Sequence, residues 1–205
     1  MNTLLFLGDS ITDCNHCFDP ENLGSGYVRM ISEKMNTPDK KYQVLNKGND
    51  GFTVPALRRL WKHSCLNITP DFITILIGIN DLAVIKNTGI TPAVALAEFR
   101  KQYQLLIDEI RVTCDCPILL MEPFIFPYPA EYSTWEPELH KMSDMIRQIS
   151  ADNHLPFLPM WSDLMTSAKT DSYKKITTDG IHLTKTGHQL LANRWLTLVH
   201  SLGCV

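Results

Sequence analysis

The chain has 205 residues, 44% of them hydrophobic, and carries 19 basic and 22 acidic side chains for a net charge of −3. This length fits one domain, 1–205, able to bury roughly two-thirds of the surface its unfolded form exposes. The near-balanced charge gives no electrostatic basis for binding nucleic acid or an anionic membrane, and no run approaches the about 18 apolar residues of a membrane span.

Leu4-Leu5-Phe6-Leu7 reads as a buried strand from Thr3 to Leu7, ended by a sharp turn at Gly8-Asp9 with Ser10 behind it. Gly8 to Leu23 is turn-rich. Gly24 to Met35 has a helical pattern, with Tyr27, Met30, Ile31 and Met35 near one face. A second strand, Tyr42 to Leu45, leads into Asn46-Lys47-Gly48-Asn49-Asp50-Gly51, where two glycines permit a tight turn with exposed amides. Thr53 and Pro55 start a helix to about His63. Phe72 to Ile77 is the most continuous β-branched and aromatic run and predicts a central parallel strand, ended by Gly78-Ile79-Asn80-Asp81.

Thr91-Pro92 opens a helix to about Val112, followed by a strand from Pro117 to Met121. Glu122 to Pro137 is a long proline- and aromatic-rich loop. A helix from Glu138 to Ala151 and a short strand from Leu155 to Leu158 come next. Pro159 to Thr178 reads as a loop with one helical turn, solvated from Lys169 to Lys175, before a last helix from near Thr184. The repeated β-α order predicts an α/β fold: a three-layer α/β/α sandwich around a mostly parallel five-stranded sheet with right-handed crossovers.

Ligands bind at the carboxyl edge of such sheets, and four segments come to that edge. Ser10 follows the first strand, Gly48 the second and Asn80 the third, while Asp179 and His182 precede the last helix. A serine hydroxyl needs a base to take its proton, and the base needs an acceptor to fix its tautomer. Asp179 and His182, three residues apart, supply both from one turn. The Ser10 and Gly48 amides and the Asn80 side chain supply three donors to a developing oxyanion. Singly, each residue reads more plainly as a turn, a cap or a surface group; the joint placement carries the argument.

These segments resemble the blocks of the SGNH hydrolases, the GDSL-type esterases and lipases. Phe6-Leu7-Gly8-Asp9-Ser10-Ile11-Thr12 is similar to the first block and Asn46 to Thr53 to the second. Gly78-Ile79-Asn80-Asp81 is similar to the third, and Asp179-Gly180-Ile181-His182-Leu183-Thr184 with Gly187-His188 to the last. The resemblance implies a flavodoxin-like sandwich, a Ser10–His182–Asp179 triad, and ester hydrolysis through an acyl-enzyme with no metal or other cofactor. The Gly-x-Ser-x-Gly elbow of common α/β-hydrolases is absent, as the resemblance requires.

Phe124, Phe126, Tyr128 and Trp135 in the long loop form a candidate apolar wall for an acyl chain or a sugar face, or else a packing or dimer surface. The expected substrate is a small-molecule ester with a short acyl group such as acetyl, on a carbohydrate. A lysophospholipase- or thioesterase-like hydrolase and an inactive binding module of the same fold are the alternatives. A flavodoxin-like electron carrier lacks its phosphate-cradling loop here. Asp9 and Asp81 read as loop braces and His188 as packing or capping; His16 and His63 show no constellation. The six cysteines, Cys14 and Cys17 included, read as free thiols of a cytoplasmic protein, and the N-terminus shows no basic or long apolar export signal.

Overall fold

The computed structural model describes residues 2–203. Five strands form one parallel sheet in the order β2-β1-β3-β4-β5: β1 Asn2–Gly8, β2 Tyr42–Gly48, β3 Phe72–Leu76, β4 Ile118–Met121 and β5 Phe157–Leu158. Leu4 to Leu7 and all of β3 are buried on both faces, as a covered parallel sheet requires. Gly8 stands beside Gly48 on one side and Leu76 on the other, and Leu76 beside Met121, so four strands end level. The chain goes from β1 outward to β2 and then back across to β3, which makes the β1/β3 boundary the switch point where a crevice opens.

In chain order the helices are α1 Ser10–Asp13, α2 Tyr27–Met35, α3 Val54–Leu60, α4 Ile79–Asn87, α5 Pro92–Thr113, α6 Glu136–Asp152, α7 Trp161–Asp171, α8 Tyr173–Ile176 and α9 Lys185–Leu202. Helices α2 and α9 pack together on one face; α3, α5 and α6 cover the other. Under α9, the Trp195 ring meets Phe6 and Phe72, and its Nε1–H donates to Thr74 Oγ1 at 2.9 Å, so the one polar side chain buried in β3 is satisfied.

Two helices depart from the sequence expectation. Asn80-Asp81 reads as a strand-ending turn, yet it opens α4, whose buried Ile79, Leu82 and Ile85 face the core at helical spacing. The 159–178 segment is helical over most of its length, including the expected solvated stretch. At the start of α7, Met160, just before it, and Trp161 donate their amides to Glu122 Oε2 at 2.7 and 2.9 Å. This cap comes from a residue 38 positions away, which local sequence signals do not reveal. Helix α3 also runs on through one wide turn, Trp61–Cys65.

Asp81 ties α4 to α3: its carboxylate accepts the Val54 amide at 3.1 Å. Burial raises its pKa to about 7, against the lowering pull of that amide. Above about pH 4 the unfolded chain releases this proton while the folded chain keeps it to about 7, so stability falls across that window by an amount on the order of 4 kcal/mol. Asp81→Asn keeps the acceptor and removes the titration. Urea melts from pH 4 to 8 are expected to show the variant gaining on the wild type up to about pH 7 and running parallel above it; a constant gap would contradict the assignment. Separately, Trp195→Phe strands the Thr74 hydroxyl at a cost of about 1–3 kcal/mol, a fall in Tm of roughly 2–10 °C. Adding Thr74→Val should recover part of that loss in the same thermal melt.

Candidate active site

Ser10 begins α1 immediately beyond β1. Asp9 caps this single turn, accepting the Ile11 amide at 3.0 Å with its buried carboxylate. No side chain fits at Gly8, where a Cβ would lie 2.3 Å from Thr12 Oγ1 and 2.5 Å from the Leu76 carbonyl. Burial raises the Asp9 pKa to about 7; the Ile11 amide and the field of His182 pull it down. Asp9 and Asp81 are thus the loop braces expected of them.

Ser10 Oγ lies 2.8 Å from His182 Nε2, and His182 Nδ1 lies 2.7 Å from Asp179 Oδ2. The other Asp179 oxygen accepts the Ile181 and His182 amides at 2.9 and 2.8 Å. Partial burial pushes the Asp179 carboxyl up, but the imidazole and those two amides outweigh it and hold its pKa below the ordinary value. With Nδ1–H committed to the carboxylate, Nε2 presents its lone pair to the serine hydroxyl. The turn is braced from both sides: Thr177 Oγ1 donates to the His182 carbonyl at 2.7 Å, and the Phe126 amide donates to the Gly180 carbonyl at 2.9 Å. Gly180 has φ +97°, and a Cβ there would come within 2.0 Å of the Tyr128 carbonyl.

The expected oxyanion donors need one correction. The Gly48 amide is not free; it donates to Asn46 Oδ1 at 2.9 Å. Asn46 in turn donates to the Thr12 and Leu23 carbonyls at 2.7 and 2.9 Å, and a Cβ on Gly48 would lie 2.2 Å from the Asp13 amide nitrogen. Gly48 therefore lets β2 approach the underside of α1. The second glycine of that segment has the open amide. Gly51, at φ +71°, stands in a turn closed by Phe52 N–H to the Asn49 carbonyl at 3.2 Å, and its own N–H has no partner among the described residues. Asn80 Nδ2 donates to the Phe52 carbonyl at 2.9 Å, and the Asp50 amide donates to Asp13 Oδ2 at 3.1 Å. The turn thus spans from Asn80 to α1, and the Ser10 amide is likewise without a partner. The repeated glycine in Asn46-Lys47-Gly48-Asn49-Asp50-Gly51 was the available signal for this second position.

Two members of the aromatic wall, Phe124 and Phe126, need correction. Phe124 and Phe126 are buried in the core, Tyr128 stacks on Tyr173, and Trp135 packs on Tyr132. The proline-rich loop folds against the Asp179-Gly180 turn, which it touches through the Phe126 amide, Tyr128 and Tyr132. The cleft holding Ser10 and His182, about 1020 Å³, opens elsewhere, between α1, the first turns of α2 and the start of α9.

His188 caps α2 by accepting the Tyr27 amide at Nδ1 (3.2 Å), and burial lowers its pKa to about 4. Its Nε2 lies 3.2 Å from Cys14 Sγ, and burial, with Asp13 and Asp9 nearby, pushes that thiol up to about 12. His16, expected to stand alone, instead pairs through Nδ1 with Asp13 Oδ1 at 2.7 Å.

Residues 6–190 match the model of the GDSL-like lipase/acylhydrolase family. An acetylxylan esterase from Geobacillus stearothermophilus is 28% identical over 94% of this chain and 91% of its own length. A solved structure of that enzyme superposes with a TM-score of 0.83 at 27% identity, covering 96% of this chain and 93% of the other. Its mutants described as catalytic replace a serine, an aspartate and a histidine, the last two three positions apart. An alpha/beta hydrolase from the metagenome of Lake Arreo, Spain, at 23% identity and TM-score 0.84, covers 99% of this chain and 95% of its own and shares the fold. A match over nearly the whole chain, on a parallel α/β sandwich with these four segments at one sheet edge, identifies the chain as a member of the GDSL-like lipase/acylhydrolase family and a carboxylic ester hydrolase.

Proposed function

We propose that this chain is a serine esterase that removes a short acyl group, acetyl, from a hydroxyl of a carbohydrate, with Ser10 as nucleophile, His182 as base and Asp179 as its orienter. The unbroken series Ser10 Oγ–His182 Nε2 at 2.8 Å and His182 Nδ1–Asp179 Oδ2 at 2.7 Å carries this reading. The acetylxylan-esterase relative supports the acetyl group and the sugar.

His182 Nε2 takes the Ser10 proton as Oγ attacks the ester carbonyl. The Ser10 amide, the Gly51 amide and the second amide hydrogen of Asn80 then receive the oxyanion. The protonated imidazole, stabilised by Asp179, delivers its proton to the departing alcohol. Water enters where the alcohol left, gives its proton to the same nitrogen and attacks the acyl-serine, which regenerates Ser10 and releases the acid. The free thiols at Cys14, Cys17, Cys65, Cys114 and Cys116 support a reducing, cytoplasmic setting.

With p-nitrophenyl acetate, Ser10→Ala and His182→Ala are each expected to lose about 10⁴-fold or more in kcat. Turnover unchanged in Ser10→Ala would overturn the nucleophile assignment. Asn80→Ala should lose about 10²–10³-fold in kcat with little change in KM, the pattern of a donor that acts on the transition state. An effect confined to KM would place Asn80 on the ground state alone.

A further inference from the structure

Among the oxyanion donors proposed above, the Gly51 amide is the one set in irregular chain. The Ser10 amide opens a helical turn at the end of β1, and the Asn80 side chain stands on α4. Gly51 lies in the exposed part of the 49–52 turn, at φ +71°. A donor lowers a barrier only while it stays aimed at the developing charge, so this amide needs a brace.

The turn is tied to other elements at both ends. The Asn49 amide donates to the Gly8 carbonyl at 3.1 Å, and the Phe52 carbonyl accepts Asn80 Nδ2 at 2.9 Å. Between these ties, the one bond from the turn to another element among the described residues runs from Asp50 N–H to Asp13 Oδ2, at 3.1 Å. The Asp50 and Gly51 amides belong to the planar peptide groups on either side of the Asp50 Cα. Fixing the first leaves only the φ and ψ of Asp50 to set the direction of the second.

Asp13 is itself held as a fixed arm. It is the last residue of α1, the turn that begins with Ser10. Its carbonyl accepts Asn46 Nδ2 at 3.3 Å, and Gly48 packs closely against its amide. Its second carboxylate oxygen, Oδ1, accepts the His16 amide at 3.1 Å and His16 Nδ1 at 2.7 Å. The buried His16 ring thereby fixes the carboxylate with Oδ2 toward Asp50. Asp13 borders the cleft, yet its carboxylate already accepts three N–H groups, which commits it to the protein rather than to substrate.

We infer that Asp13, locked by His16, is a positioning residue for ester hydrolysis that holds the Gly51 amide in register with Ser10. The single turn α1 then carries the nucleophile at its first residue and the brace of an oxyanion donor at its last. This inference rests on the esterase reading above. Its test pairs turnover of p-nitrophenyl acetate with inhibition by butylboronic acid, whose tetrahedral adduct on Ser10 places an oxygen among the same donors. Asp13→Ala is expected to lose about 10–100-fold in kcat with KM held within about threefold, and to weaken the boronic acid by a similar factor. His16→Ala, which leaves the carboxylate in place but unlocked, should lose about 3–10-fold in both readouts. Asp13→Asn keeps an oxygen to accept the Asp50 amide and should return to within about threefold of the wild type. Thermal melts check that each variant folds, and His16→Ala with Asp13→Asn decides the matter if Asp13→Ala does not. An unchanged kcat in either folded alanine variant, a loss confined to KM, or an Asp13→Asn enzyme as slow as Asp13→Ala would overturn the inference. Failure of the esterase reading looks different: Ser10→Ala would hydrolyse p-nitrophenyl acetate as well as the wild type, and butylboronic acid would not inhibit the wild type.

Discussion

The 2.8 Å contact between Ser10 Oγ and His182 Nε2 joins residues 172 positions apart, and much of the fold serves to hold its two ends. At one end stands β1, buried on both faces in the middle of the sheet, so that Ser10 leaves a rigid strand through a single capped turn. At the other end stands a short loop with little packing of its own. It is held by Thr177, by the Phe126 amide and by the close approach of Tyr128 to Gly180. Rigid placement of the proposed nucleophile and base matters because small errors in reacting geometry cost large factors in rate.

Buried or half-buried carboxyl groups recur as the joints of this arrangement. Asp9 caps the serine's turn, Asp81 joins α3 to α4, and Glu122 receives the Met160 and Trp161 amides as well as the Ser143 hydroxyl. Asp9 and Asp81 are raised toward neutrality by burial, and the charge of Asp9 raises Asp81 further. Backbone amides offset part of the desolvation without supplying a cation. A strong positive charge beside Asp9 would lower its pKa, but it would also disfavour the imidazolium that the proposed reaction forms.

The sheet and the placement of Ser10, Asn80, Asp179 and His182 were legible because they depend on local signals: apolar runs, turn residues, and the rule that α/β sites lie at the strand ends. What was not legible depends on contacts distant in sequence. Helix α7 is capped by Glu122, and its Ser- and Thr-rich surface hides the apolar face formed by Leu164, Met165 and Ala168. Gly48 and Gly51 look alike in sequence, and only the Asn46 side chain, which occupies one amide, separates them. Phe124 and Phe126 have the composition of a binding wall and the burial of a core. Aromatic content alone cannot tell those apart.

The central claim is that Ser10 is the group acylated and that His182 activates it. The most direct measurement is covalent labelling by a fluorophosphonate, followed by intact mass and peptide mapping. One adduct per chain, on Ser10 and lost in His182→Ala, is the predicted result. An adduct on another residue, or labelling of Ser10 that proceeds as fast without His182, would contradict it.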